Sequence, residues 1–236
     1  MANMQVPAKR SQDHEFVTIS LESAFDTFSV KKSVLCNVSA YFTKALEGSF
    51  QETTTRHLAL PDCDIDTLQL FLCWLNSHHV PSCRQVAQSL KKGSSQKNAF
   101  IKAHQIRLVR LWTFADRVLA PKLQNAAMRA MFRLSAYFRA DTIELISETI
   151  LGNSMLRTVA IESFLYGYRS TGQYGRTYSE AEFNHLDANP NVAAKDFDVV
   201  AKSECKRSIS QCGGSALALC YNIEQKGADT FIVAED

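Results

Sequence analysis

No stretch of the 236 residues approaches the roughly 18 uninterrupted apolar positions that a membrane-spanning helix requires. The first ten residues hold no apolar run, so no secretory leader is expected. Glycine and proline are sparse, at nine and five, which excludes collagen-like and low-complexity chains. Seven cysteines stand at 36, 63, 73, 83, 205, 212 and 220, an odd number with no CxxC pair. A disulfide framework is not expected from such spacing, and a reducing compartment, cytoplasmic or nuclear, fits it better. An excess of one charge is also missing: net charge is +2, too small on its own to imply a polyanionic partner. What is present is 46% hydrophobic composition in a chain long enough to hide about 70% of its extended surface, so a substantial core is expected without staples.

The signatures of catalysis are absent as well. The chain has no GxGxxG, P-loop, GxSxG or HExxH motif. Zinc needs about four nitrogen or sulfur ligands converging tetrahedrally, usually from two close pairs. The best cluster, Cys73, His78, His79 and Cys83, reads more simply as a helix end with ordinary side chains, and Cys205, Cys212 and Cys220 have no histidine near them. Cys36 reads as core and His57 as a solvated side chain. A non-enzymatic protein without metal or cofactor is the expectation.

Along the chain, residues 1–13 are polar and aperiodic, an N-terminal arm. Val17, Ile19 and Leu21 alternate with Thr18 and Ser20, the period of a half-buried strand. Phe28 and Val30 repeat the pattern, with Glu22–Thr27 as the turn of a hairpin. Val34, Leu35, Val38, Phe42, Ala45 and Leu46 form a helical stripe that Ser39 can break in two, and Gly48 offers a stop. Leu58 and Leu60 mark a third strand. Asp64 or Asp66 can cap a helix whose apolar face is Leu68, Phe71, Leu72 and Leu75. Tyr41, Phe42 and Trp74 are read as core.

Residues 80–103, punctuated by Pro81 and by Gly93-Ser94-Ser95, carry basic side chains and no acid; they read as a long insertion with a short helix over Arg84–Lys92. Strong helical stripes follow: Leu108, Leu111, Trp112, Ala115 and Leu119, then Leu123 to Phe138 behind Pro121. Asp141 and Glu144 resemble a capping box, and Ser154 can cap a further helix. From about 171 to 236 only fragments show, a helix over Asn191–Lys206 and a strand at Phe231–Val233. The expected organisation is therefore a mixed domain over 14–140 and a helical C-terminal extension over 141–236.

The stretch Phe28–Leu75 carries more specific information. It runs Phe-Ser-Val-Lys-Lys-Ser-Val-Leu, then Ser39-Ala-Tyr-Phe, Phe50-Gln-Glu52, Leu58-Ala-Leu-Pro-Asp and Phe71-Leu-Cys-Trp. These positions and their spacing resemble the BTB/POZ domain. Leu111-Trp-Thr-Phe-Ala-Asp116 with Leu123-Gln-Asn125 looks like the continuation in fungal BTB proteins. The resemblance covers about residues 15–140, more weakly to about 170. It implies an α+β fold, a cluster of helices capped by a short three-stranded sheet and followed by a helical extension.

It also implies a protein-interaction module, used for dimerisation or as an adaptor to a cullin-type ubiquitin ligase. Two departures bear on the homodimer: Lys31 stands where the family often has histidine, and Glu15-Phe16-Val17 where it often opens with aspartate. No second substrate-binding unit of the kelch, MATH or zinc-finger kind is recognisable, which leaves the 141–236 extension as the only candidate. By resemblance, Phe50 and Glu52 match the hydrophobic-x-Glu step that adaptors present to a cullin's helices. The Phe50 ring either anchors in a partner or folds back onto the domain's own core. A second reading makes the chain a nucleic-acid-associated transcriptional regulator using the basic 84–110 segment. Such runs are generally solvated, and no zinc finger, helix-turn-helix or RNA-binding signature accompanies it, so nucleic acid ranks behind protein as the partner.

Overall fold

Strand β1 (Phe16–Leu21) buries Val17, Ile19 and Leu21 and exposes Phe16 and Thr18, as its alternation predicts. It lies at the centre of a three-stranded sheet of order β2-β1-β3. β2 (Ala24–Lys31) pairs antiparallel to it, with Ile19 opposite Phe28. The expected turn over Glu22–Thr27 is shorter, because β2 already begins at Ala24 and a register shift at Ser20/Leu21 closes the hairpin. β3 (His57–Leu60) joins parallel to β1, with Leu58 opposite Ile19 and Leu60 opposite Leu21. A parallel partner cannot follow by a tight turn, so the intervening helices make the crossover. The computed structural model describes residues 15–21, 24–134, 138–150, 154–161, 180–189 and 192.

That crossover is α1 (Lys32–Val38), α2 (Ala40–Glu47) and α3 (Gln51–Thr55). Ser39 divides the first two as expected. Its extended backbone ends α1, and its hydroxyl accepts the Phe42 N–H at 3.2 Å to start α2. The same hydroxyl donates to the carbonyl of Val118, far along the chain, and is buried. α4 (Ile65–Ser77) starts at Asp64, which accepts the Thr67 N–H at 2.7 Å, and ends at His78 in the left-handed region. Its buried face is Leu68, Phe71, Trp74 and Leu75; Leu72 is only half-buried.

α5 (Arg84–Ser89) is short, and α6 (Ser95–Arg117) is the longest element. The expected insertion over 80–103 is thus largely ordered: Ser94 caps α6 by accepting the Lys97 N–H at 3.2 Å, and residues 95–103 are its first turns. The Gly-Ser-Ser run that suggested a loop supplies one exposed turn and a cap. Leu119, read as part of the α6 stripe, instead lies in the turn after it with φ +52° and is exposed. α7 (Pro121–Leu134) returns against α6. α8 (Ala140–Thr149) begins one residue before the expected cap, so Asp141 lies in its first turn and caps nothing. Helical residues 155–161 (α9) follow Ser154, whose hydroxyl accepts the Arg157 N–H. α10 (Glu180–Ala188) was not legible in sequence; the expected helix over 191–206 and strand at 231–233 lie outside the described residues.

One cluster of buried apolar side chains runs from the sheet through α2, α4, α6 and α7 to α8 and α9. At its centre Phe71 meets Phe42, Trp74 and Phe114 at centroid distances of 5.9, 6.4 and 5.2 Å. On the α6–α8 seam Gln105 Oε1 accepts the Arg139 N–H at 2.9 Å and the Thr142 hydroxyl at 3.2 Å, which ties α8 to α6. Among the described residues no helix is long and apolar enough to cross a membrane.

His104 is buried on α6, its Nε2 3.0 Å from the Pro81 carbonyl. Burial pushes its pKa below the usual histidine value, and the Pro81 hydrogen bond only partly opposes this. A group depressed in the folded state contributes stability above its unfolded pKa of about 6.5, lost as pH falls toward the folded value. Urea midpoints should therefore decline below about pH 6.5. His104→Gln, which keeps a donor for Pro81, should show a shallower decline over the same range. Equal slopes for both proteins would remove His104 as the cause.

Candidate protein-interaction surface

The segment after α2 is built to hold an aromatic ring outside the core. Gly48 leaves α2 with its N–H bonded to the Lys44 carbonyl at 2.9 Å. A Cβ there would stand 2.4 Å from the Lys44 oxygen and 3.2 Å from the Phe50 ring, so only glycine lets the ring lie against this turn. Phe50 then takes an extended backbone and precedes α3. Thr53 fixes the bend by donating to the Ala45 and Gly48 carbonyls at 3.1 and 2.8 Å. Arg56, in the left-handed region, ends α3 with its N–H on the Glu52 carbonyl at 2.8 Å. Its guanidinium pairs with Glu15 at 3.0 Å, which anchors α3 to the start of β1.

Of the two expected site residues, Phe50 is 60% exposed and Glu52 is half-exposed in the first turn of α3. The ring does not fold back into the core. Among the described residues Tyr41 and Leu119, both read as inward-facing in the sequence, are exposed as well, as are Phe16 and Val86. Phe42 and Trp74 are buried as expected, whereas Tyr41 stands edge-on to Phe42 at 5.3 Å with its other side open. Tyr41 follows Ser39 by two residues and Leu119 follows Val118, and the Ser39–Val118 hydrogen bond brings these two segments, the start of α2 and the α6–α7 turn, together. No periodicity could have paired them, because the contact spans 79 residues of chain.

Other groups carry no comparable chemistry. A cleft of about 530 Å³ opens between the start of α4, α6 and α8, lined among others by Cys63, Thr67, Val109, Phe114 and Leu145. Its rim is ion-paired: Asp64 meets Arg110 at 3.0 Å and Asp62 meets Arg117 at 3.5 Å. Partial burial resists ionisation of Asp64, but the Thr67 hydrogen bonds and Arg110 together outweigh it and hold the carboxyl below its ordinary value. Burial, with Asp64 adding to it, pushes the Cys63 thiol up to about 11, so it stays protonated and poorly nucleophilic near neutrality. Burial likewise raises Cys36 and Cys83. Among the described residues no three His, Cys, Asp or Glu side chains are grouped to hold a metal.

A small mixed sheet thus sits over a helical cluster, with Phe50 held out on a fixed turn. Residues 8–99 match the family model of the BTB/POZ domain, so the chain contains such a domain, and the match ends inside α6. No curated protein matches the chain. BTB/POZ domains generally mediate protein–protein interaction and self-association, and they are interaction modules, not enzymes.

Proposed function

We propose that this chain is a BTB adaptor that presents Phe50, with Glu52 beside it, to a helical partner of the cullin type. The observation that carries the reading is the exposure of Phe50 on a turn fixed by Gly48 and Thr53. An aromatic side chain left in water at a rigid position loses little conformational freedom on docking, the property of an interface anchor. Glu52 adds a carboxylate that can meet a basic side chain or the N-terminus of a partner helix. Self-association through the same module accompanies the adaptor role, as the family's general use suggests, and residues 14–140 are the unit assigned to it, with 141–236 left for the substrate.

The nucleic-acid reading of the 84–110 segment keeps four of its seven cations, Arg84, Lys91, Lys92 and Lys97, unpaired among the described residues. Lys102, Arg107 and Arg110 are already occupied, paired with Asp141, Asp66 and Asp64. The test is capture of a cullin by wild type and by Phe50→Ala with Glu52→Ala, each with a thermal melt. Capture should fall by at least about 30-fold in the variant, the size of an anchor residue's contribution. Because Phe50 is exposed, the melting temperature should move little. Wild type that captures no cullin sinks the adaptor role, and a large fall in melting temperature would return Phe50 to a structural one.

A further inference from the structure

Between residues 67 and 140 the chain carries twelve lysines and arginines against one acid, Asp116. The fold sorts these cations into two groups. Arg107, Arg110 and Arg117 reach back to Asp66, Asp64 and Asp62 at the start of α4; Lys102 meets Asp141 and Arg139 meets Glu182. Arg84, Lys91, Lys92, Lys97, Lys122, Arg129 and Arg133 have no carboxylate of the described residues within ion-pair distance, and of these all but Lys122, at the start of α7, belong to the second group.

The second group is gathered in space. α6 and α7 form an antiparallel hairpin; α7 is the shorter helix, so its last turn lies near the middle of α6 and Lys97 stands about two turns beyond it on the same end. α5 packs against both helices at that end and brings Arg84, and Lys91 and Lys92 follow it in the turn to α6. Arg129 and Arg133 are one turn apart on α7, and Arg133 lies 3.3 Å from His79 Nε2. Within this basic surface α5 exposes one large apolar side chain, Val86, at 49%.

We infer that this end of the α6/α7 hairpin is a docking surface for an acidic protein segment that carries an apolar side chain. Charge complementarity selects an anionic partner, because like charges set side by side repel and a polyanion relieves them. Val86 selects protein over nucleic acid. Single strands are held by cations interleaved with aromatic platforms. Phe100 and Phe132, the described phenylalanines of these helix ends, are instead half-buried, one stacked on His104 and the other edge-on to Phe138, each at 6.2 Å. The surface is independent of Phe50, so a chain that binds no cullin still tests it.

The experiment measures fluorescence anisotropy of three labelled probes with the full chain: a Glu-rich peptide with one central leucine, the same peptide with serine in its place, and random duplex DNA. The leucine peptide should bind most tightly. Arg129→Glu with Arg133→Glu should weaken it by about tenfold or more. Val86→Ser should weaken the leucine peptide by roughly threefold and leave the serine peptide unchanged. Lys102→Gln, which removes a cation already paired with Asp141, should have little effect. If the α7 pair lowers the melting temperature, Arg84→Glu with Lys91→Glu, on exposed positions, supplies the same reading. DNA bound more tightly than either peptide would assign the surface to nucleic acid and overturn the inference. So would equal binding of the two peptides, or no binding of any probe.

Discussion

Phe71→Ala should destabilise the protein by about 3–5 kcal/mol, the range for deleting a fully buried phenylalanine ring. Phe71 has no exposure and contacts rings from three helices: Phe42 of α2, Phe114 of α6 and Trp74 one turn on in α4. Three stiff elements surround the vacated volume, so little of it can collapse, and the cost should fall in the upper part of that range. Phe71→Leu keeps most of the apolar volume and should cost clearly less. Urea unfolding at constant slope measures both, and the slope itself guards against a change in the unfolded state. A loss below about 1 kcal/mol for the alanine variant would mean that the centre of the core lies elsewhere.

Ser39→Ala should cost about 2–3 kcal/mol, more than removing a helix cap alone. The hydroxyl serves two backbone groups at once. It accepts the Phe42 N–H at the start of α2 and donates to the Val118 carbonyl at the end of α6. Alanine leaves both unsatisfied in a site that is only 4% exposed to water. Ser39→Gly separates the two roles, because glycine is tolerated at a cap at a cost of a few tenths of a kcal/mol but cannot reach Val118. If the glycine variant is nearly as unstable as alanine, the α2–α6 bond dominates. A glycine variant close to wild type would leave Ser39 as a cap and nothing more.

The reading of Tyr41 shows where sequence inference fails. It sits one residue from Phe42 in a helix, and both are aromatic, so composition alone treats them alike. They differ by 100° around α2, and only Phe42 faces Phe71. Leu119 fails for a related reason: it continues the α6 stripe by spacing, but the helix ends at Arg117 and the left-handed turn carries the side chain outward. Part of the basic segment, Arg107 and Arg110, is ion-paired, and spacing could not show it because Asp66 and Asp64 precede these residues by some forty residues or more. A charge run looks solvated until the acids that face it are placed.

Local periodicity was sufficient for the strands, for the break at Ser39, for the Asp64 cap and for most of the buried face of α4, because each is decided within a turn or two of chain. The Phe28–Leu75 spacing went further and pointed to the BTB/POZ domain that residues 8–99 contain. The place of Phe50 was open in sequence, since a lone phenylalanine after a glycine has equal reason to turn in or out. Tertiary structure decided it: the Lys44 carbonyl, Thr53 and the Arg56–Glu15 pair fix the turn so that the ring lies over Gly48, outside the core. The division of the cations into paired and unpaired sets was settled in the same way. Periodicity reports which face of an element is apolar, whereas the groups that meet that face come from distant parts of the chain and are known only once it has folded.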